Sequence, residues 1–300
     1  MQALFYFLSL IMGVLVSVMI TVNGNLTTQY GLYTATVIIH IVGLLIISTV
    51  VLVRREKIFN KGLAWFLYLG GAIGVMTTIF NNISFGRISV SAILALGLLG
   101  QGVIGLIIDQ YGLWGMPKHP FEKKKTFGFL LILAGIASMI NSFEIVAVVV
   151  SFFAGITIVL SRTVNAKLAD KTSVSVSTFF NYFVGIFVAT LVLLVLGQTE
   201  IANNRLLFEG GFDFDLMVRQ NWHIYLGGAL GVMVVLLLNM IVVKIPALYL
   251  TLLIFVGKVF SGVVIDMIIT QSVSHRNIIG GILVTAGMCF NLLIDRKKLV

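Results

Sequence analysis

Long apolar runs separated by short polar segments fill almost all of this 300-residue chain. Each run is close to the ~20 residues that an α-helix needs to cross a bilayer. The pattern predicts an all-α integral membrane protein, although the narrow break at residues 141–144 also allows nine spans instead of ten. The predicted spans are 3–22, 34–53, 63–82, 90–109, 126–141, 144–164, 176–197, 222–243, 247–270 and 278–295.

Composition excludes a soluble fold, because 59% of the residues are hydrophobic, only 10% are charged and the mean hydropathy is +1.10. Ten spans leave roughly 100 residues for loops and tails, too few for a separate soluble domain. The first run lacks a basic segment before it and a cleavage site after it, so we expect a retained helix. A single cysteine, Cys289, provides neither a disulfide framework nor a cysteine metal site.

The positive charges favour ten spans with both termini in the cytoplasm. Cytoplasmic loops of membrane proteins are enriched in lysine and arginine. With this orientation the outer loops hold only Arg87, Arg205, Arg219 and Arg276, and Lys258 lies inside a span. A nine-span chain would lose this asymmetry after the break. The remaining cations fall in cytoplasmic segments: Arg54, Arg55, Lys57, Lys61, Lys118, Lys123, Lys124, Lys125, Arg162, Lys167, Lys171, Lys244, Arg296, Lys297 and Lys298.

An internal repeat divides the chain into residues 1–142 and 143–300. Span three contains WFLYLGGAIGVM from Trp65, and span eight contains WHIYLGGALGVM from Trp222, identical at nine of twelve positions. Further matches follow in the same order along both copies. They pair Gly13 with Gly155, Asn23 with Asn165, Gly43 with Gly185, Asn82 with Asn239, Gly100 with Gly257, Asp109 with Asp266, Gly128 with Gly280 and Gly135 with Gly287.

Because each copy has five spans, the second copy enters the membrane from the side opposite to the first. Such inverted repeats are typical of transporters that work by alternating access, with the substrate site near the bilayer midplane. The repeat therefore predicts a transport function.

Lys258 is the most informative single residue of the sequence. It lies ~18 Å from the start of span nine, close to the centre of a ~30 Å apolar core. A charge at this depth contacts a substrate or ion, or has a structural partner, unless the helix sits at a different depth. Its counterpart in the first copy is the neutral Gln101.

Other polar residues allow both functional and structural interpretations. Asp109 and Asp266, near the ends of matched spans, are candidate gate latches or interfacial anchors. His40 is a candidate proton carrier or a hydrogen-bonded core residue, and Glu144 is a candidate coupling residue or a helix cap. The matched amides Asn23, Asn165, Asn82 and Asn239 could bind a polar solute or satisfy helix ends.

The run GQGVIGLIIDQYGLWG from Gly100, followed by a basic loop and GFLLILAGI, resembles the signature of the YdcZ-type family of the drug/metabolite transporter superfamily. The pattern from Gly13 through Asn23 and Leu26 to Gly43, repeated from Gly155, is similar to the opening of the same domain. The resemblance implies a ten-helix fold in the bacterial inner membrane, with helices one to four and six to nine around a central site. It also implies that helices five and ten lie at the side and could form a homodimer contact.

The leading hypothesis from the sequence is a secondary transporter, an exporter of a small organic metabolite. Lys258 and Gln101 would contact the solute, and a midplane lysine favours a carboxylate or phosphate group. No metal or cofactor, nucleic-acid partner or P-loop is expected. Two alternatives remain: a structural or regulatory membrane protein that transports nothing, and a membrane-embedded enzyme. The scattered histidines and the lack of an HExxH motif argue against the enzyme.

Overall fold

The computed structural model describes residues 2–58, 62–113, 122–140, 144–203, 222–242, 244–245 and 247–296. Within these ranges ten long helices follow one another along the chain, which confirms the predicted all-α fold. A short helix, Gln198–Asn203, follows the seventh of them. The ten helices are α1 (Gln2–Tyr30), α2 (Leu32–Val53), α3 (Gly70–Ser84), α4 (Val90–Tyr111), α5 (Lys125–Met139), α6 (Ile145–Lys171), α7 (Val174–Leu196), α8 (Gly227–Val242), α9 (Ala247–Thr270) and α10 (His275–Arg296).

Nine segments of the described chain are long and apolar enough to cross a membrane. Two of them consist of a helix and a preceding 3₁₀ turn: Trp65–Tyr68 before α3 and Trp222–Leu226 before α8. The tenth helix, α5, is apolar but has only 15 residues, about 22 Å at 1.5 Å per residue. The last residue of its predicted span, 141, lies outside the described ranges.

Helices α1 and α6 are longer than the sequence pattern predicted. Their predicted ends were residues 22 and 164, whereas the helices continue to Tyr30 and Lys171. In α1 the hydroxyls of Thr27 and Thr28 donate to carbonyls one turn earlier, at 3.0 and 3.1 Å, so the polar segment stays helical. Lys167 and Lys171, which the pattern placed in a loop, therefore belong to α6, as does Arg162, which already fell within the predicted span 144–164.

The helices form two compact units that do not coincide with the two repeats. The α2/α7 unit comprises Met19–Ile83 and Leu160–Leu236, and the α5/α10 unit comprises Met1–Val18, Ser84–Val159 and Leu237–Val300. Each unit therefore contains segments of both copies. Helices α1, α6 and α8 contribute residues to both units, and α3 ends with one residue, Ser84, in the α5/α10 unit.

The α2/α7 unit is built around an antiparallel pair of equivalent helices. Gly43 of α2 lies against the ring of Tyr182 on α7, and Gly185 of α7 lies against the ring of His40 on α2. The offset of 142 residues pairs Gly43 with Gly185 and His40 with Tyr182. The Gly43–Tyr182 and Gly185–His40 contacts are therefore equivalent and are related by an approximate two-fold axis.

The α5/α10 unit shows the same arrangement. Gly128 of α5 lies against Gly287 of α10, and Gly135 of α5 lies against Gly280 of α10. Contact positions rise along one helix while they fall along the other, so the helices are antiparallel. Equivalent helices of the two copies thus run in opposite directions, as an inverted repeat requires.

Glycines allow other helices of the α5/α10 unit to pack backbone against backbone. Gly13 on α1 lies against Gly257 on α9, and its counterpart Gly155 on α6 lies against Gly97 and Gln101 on α4. A β-carbon at Gly13 or Gly155 would overlap main-chain atoms of the neighbouring helix. Small residues serve this purpose at helix interfaces in membranes.

Candidate functional site

Lys258 is the twelfth of the 24 residues of α9 and is 4% exposed. Phe260, two residues later, and Val264 are 40% and 53% exposed. At 3.6 residues per turn, positions two apart point in nearly opposite directions, so Lys258 faces away from the apolar surface that meets lipid. A cation so placed near mid-membrane is the feature that most directly indicates function.

The backbone at Lys258 is held by hydroxyl groups. The hydroxyls of Ser17 and Ser261 lie 3.0 and 3.2 Å from the Lys258 carbonyl oxygen, and 2.8 Å from each other. Gly13 on α1 packs against the Lys258 main chain. Helices α1 and α9 therefore share a polar anchor at the level of the buried cation, which fixes where its side chain starts.

Gln101 occupies the matching position on α4 in the same compact unit. Its side-chain amide donates to the carbonyl of Gly97 at 3.1 Å, and its main chain packs against Gly155 of α6. The packing around Gln101 reproduces that around Lys258, while the charge is present only in the second copy.

Asn23 and Asn165 occupy equivalent places in the α2/α7 unit. Asn23 on α1 lies against Gly227, and Asn165 on α6 lies against Gly70. Asn165 donates to Asn181 Oδ1 at 2.8 Å, whereas the buried Asn23 Oδ1 has no hydrogen-bond partner in the described part of the chain. The two copies thus keep the same packing but differ in polarity.

The sequence did not single out Asn181, which belongs to a small polar cluster with Asn165 and Ser161. Ser161 donates to the carbonyl of Gly70 at 2.8 Å, and Gly74 lies beside both Ser161 and Asn181. In the first copy the positions of Ser161 and Asn181 are taken by Met19 and Ile39. The cluster is therefore specific to the second copy, and polar residues that the two copies share do not indicate it.

The remaining predicted amides lie in different units. Asn82, 4% exposed in the α2/α7 unit, has an amide nitrogen without a hydrogen-bond partner in the ranges described. Asn239 is half-buried in α8, within the α5/α10 unit. The structure therefore groups Asn82 with Asn23, Asn165 and His40, and Asn239 with Lys258 and Gln101.

His40 is a buried and hydrogen-bonded residue of the α2/α7 pair. Its Nδ1 lies 2.7 Å from the carbonyl oxygen of Thr36, and its ring centre lies 5.8 Å from that of Tyr182. Tyr182 in turn donates to the carbonyl of Gly228 at 3.3 Å. This environment is the one expected of a core histidine, and a proton-carrying role for His40 stays a prediction.

The carboxylate of Asp266 caps the N-terminus of α4. It accepts hydrogen bonds from the backbone N–H groups of Val90 and Ser91 at 2.6 and 3.0 Å, and from the Asn277 amide at 3.2 Å. A negative charge at a helix N-terminus is stabilising. These bonds favour the anchoring interpretation of Asp266, although its gating role stays a prediction.

The other candidate carboxylates, Asp109 and Glu144, are less buried than Asp266. Asp109 is half-buried near the end of α4. Glu144 is exposed and directly precedes α6, where its carbonyl accepts the N–H of Val148 at 3.0 Å. The position of Glu144 fits a helix start. Within the described ranges no group of three or more His, Cys, Asp or Glu side chains could hold a metal ion.

Replacing Asp266 with alanine is expected to destabilise the protein by about 2 kcal/mol, since hydrogen bonds to a charged group contribute about 1.5–3 kcal/mol. Thermal unfolding of the purified protein measures the effect. Asp170→Ala, which removes an exposed carboxylate at the end of α6, is the matched control. Equal melting temperatures for the two variants would contradict the capping role.

In the described part of the chain, ten apolar helices form two opposed repeats, and a buried cation lies halfway along one of them. These features define a multi-span membrane protein of the transporter class. Comparison with known proteins then gives the family. The family model described as "Putative inner membrane exporter, YdcZ" matches residues 4–138 and, a second time, residues 146–290. This chain belongs to that family, which confirms the resemblance noted in the sequence.

A solved structure described only as "Crystal structure of protein" has the same fold, with a TM-score of 0.62 and 13% sequence identity. The alignment covers 100% of this chain and 99% of the other. At this identity the similarity concerns the fold alone. No curated protein matches the sequence.

Proposed function

We propose that this protein is a secondary transporter that exports a small organic metabolite across the bacterial plasma membrane by alternating access. The family description and the two opposed repeats support this proposal. The observation that carries it is Lys258, since burying a charge in a membrane-spanning helix is costly and such residues mark substrate or ion pathways.

In the proposed mechanism the two repeats exchange conformations, so that a midplane site opens first to one side and then to the other. Lys258 compensates the negative charge of the solute, and Gln101 offers an uncharged amide at the equivalent position. A small solute with a carboxylate or phosphate group fits this pair best. The alternatives, a membrane protein that transports nothing and an enzyme, lack a comparable observation.

Flux measurements on purified protein in proteoliposomes test the proposal. Vesicles are loaded with a panel of radiolabelled anionic, neutral and cationic metabolites, and efflux is compared with that from empty vesicles. The proposal predicts protein-dependent efflux of at least one anionic solute. If no solute moves and none raises the melting temperature of the protein, the non-transporting alternative is favoured.

Both termini are proposed to lie in the cytoplasm. Single cysteines introduced in a Cys289→Ser background at Lys124, before α5, and at Ser274, before α10, should label from opposite sides. In intact cells a membrane-impermeant thiol reagent is expected to modify the cysteine at 274 and to spare the one at 124. Labelling of position 124 from outside would reject this orientation.

A further inference from the structure

Arg162 lies within the second half of α6 and is exposed. The apolar residues Val146, Val149 and Phe153 of the same helix are 53%, 44% and 47% exposed, as expected of a surface that meets lipid. Arg162 follows Phe153 by nine residues, or two and a half turns, which places it on the opposite face. Arg162 is therefore exposed on a face of α6 other than the one that meets lipid.

The open face of α6 continues from Arg162 to the end of the helix. Ala166 and Asp170 follow at one-turn intervals, and both are exposed. At the matched positions of α1, Ile20 and Gly24 are buried, and Thr28, the match of Asp170, is exposed. The two copies therefore differ in exposure at the positions of Arg162 and Ala166.

The guanidinium of Arg162 makes no ion pair or side-chain hydrogen bond with any residue of the described ranges. Asp170 on the same face lies eight residues away, about 12 Å along the helix. One turn from Arg162 is Asn165, whose partner Asn181 keeps amide N–H groups that donate to no described residue.

We propose that Arg162 binds an oxyanion, the carboxylate or phosphate group of the transported solute, and that Asn181 donates a hydrogen bond beside it. This inference rests on the proposed transport function and names residues that would bind the anionic group of its solute. A guanidinium binds carboxylate and phosphate oxygens through two parallel hydrogen bonds. The second repeat supplies cations on two of its helices, Arg162 on α6 and Lys258 on α9, where the first repeat has the neutral Ile20 and Gln101.

Cysteine accessibility tests the position of Arg162. In a Cys289→Ser background, Arg162→Cys is expected to react with a charged, membrane-impermeant thiol reagent applied to purified protein in nanodiscs. Phe153→Cys, on the lipid side of α6, and Ile20→Cys, at the equivalent buried position of α1, are the matched controls. If Arg162→Cys reacts no faster than either control, the inference is overturned.

Thermal shift with inorganic phosphate, succinate and citrate at constant ionic strength tests the ligand class. At least one of these anions is expected to raise the melting temperature of the wild type. The Arg162→Gln variant should need at least a ten-fold higher concentration for the same shift, while Arg162→Lys keeps part of the response. Arg55→Gln removes an equal charge from an exposed loop and should respond like the wild type. An equal response of Arg162→Gln and the wild type would overturn the inference.

The source of the oxyanion is distinguished by repeating the measurement in nanodiscs with and without phosphatidylglycerol. A stabilisation by phosphatidylglycerol that is lost in Arg162→Gln, without any response to the soluble anions, would assign the residue to a lipid headgroup and overturn the inference. An Arg162-dependent response to a soluble anion without flux of any solute would retain the anion site and reject transport. Flux that is unchanged in Arg162→Gln would retain transport and reject the site.

Discussion

Replacing Lys258 with glutamine should abolish transport while leaving the protein folded. Loss of one member of a buried charged interaction costs about 2–5 kcal/mol in binding, which is roughly 30-fold or more in affinity. Glutamine is the residue that the first repeat carries at the equivalent position, so the substitution is compatible with the local helix packing. Efflux from proteoliposomes and the melting temperature of the purified variant measure the two effects separately.

An exchange of the two matched residues sharpens this experiment. The double variant Gln101→Lys, Lys258→Gln keeps the number of charges and moves the cation to the equivalent place in the first repeat. If the approximate two-fold symmetry extends to the solute site, the double variant should recover part of the flux lost in Lys258→Gln. Wild-type kinetics in the single Lys258→Gln variant would show that the lysine has no part in solute binding.

Gly13→Ala is expected to destabilise the protein by about 1–3 kcal/mol, the usual cost of inserting a methyl group into a closely packed interface. The new β-carbon would overlap main-chain atoms of Ile254 and Gly257 and come within 2.7 Å of the Lys258 nitrogen. Because helix backbones cannot yield as a flexible side chain can, α1 and α9 must separate. We expect a melting temperature several degrees below that of the wild type, together with reduced transport.

The equivalent substitution in the second repeat, Gly155→Ala, should have a similar effect, because the β-carbon would overlap Gly97 on α4. Gly105→Ala is the matched control, since a β-carbon at this helical glycine would meet no atom within 4 Å. Its melting temperature should equal or exceed that of the wild type. A loss of stability in Gly105→Ala as large as in Gly13→Ala would show that helix flexibility, not close packing, explains the result.

Matching residues in the two halves predicted the repeats, and the odd number of spans in each copy predicted their opposite orientation. The hydrophobic pattern was sufficient to predict ten helices, because lipid requires long apolar segments. It was insufficient for the ends of α1 and α6. The polar segment from Asn23 to Tyr30 looks like a loop by hydropathy, yet its threonine hydroxyls satisfy carbonyls within the helix.

Candidate site residues were predictable only where charge or repetition marked them. Lys258 stands out because a lysine in an apolar run is rare, and the structure places it in a buried position halfway along α9. Arg162 and Asn181 did not stand out, since the first was counted among the cytoplasmic cations and the second has an apolar counterpart. Which face of a helix is exposed depends on the neighbouring helices, and the hydrophobic pattern of a single sequence does not show which helices are neighbours.

The antiparallel pairing of α5 with α10 has a consequence for how the protein is made. Membrane helices are inserted from the N-terminus during synthesis and associate afterwards. When α1–α5 are in the bilayer, Gly128 and Gly135 of α5 lack their α10 contacts until α10 has been synthesised. The first half of the chain should therefore turn over quickly when expressed alone and persist when the second half is co-expressed from a separate message.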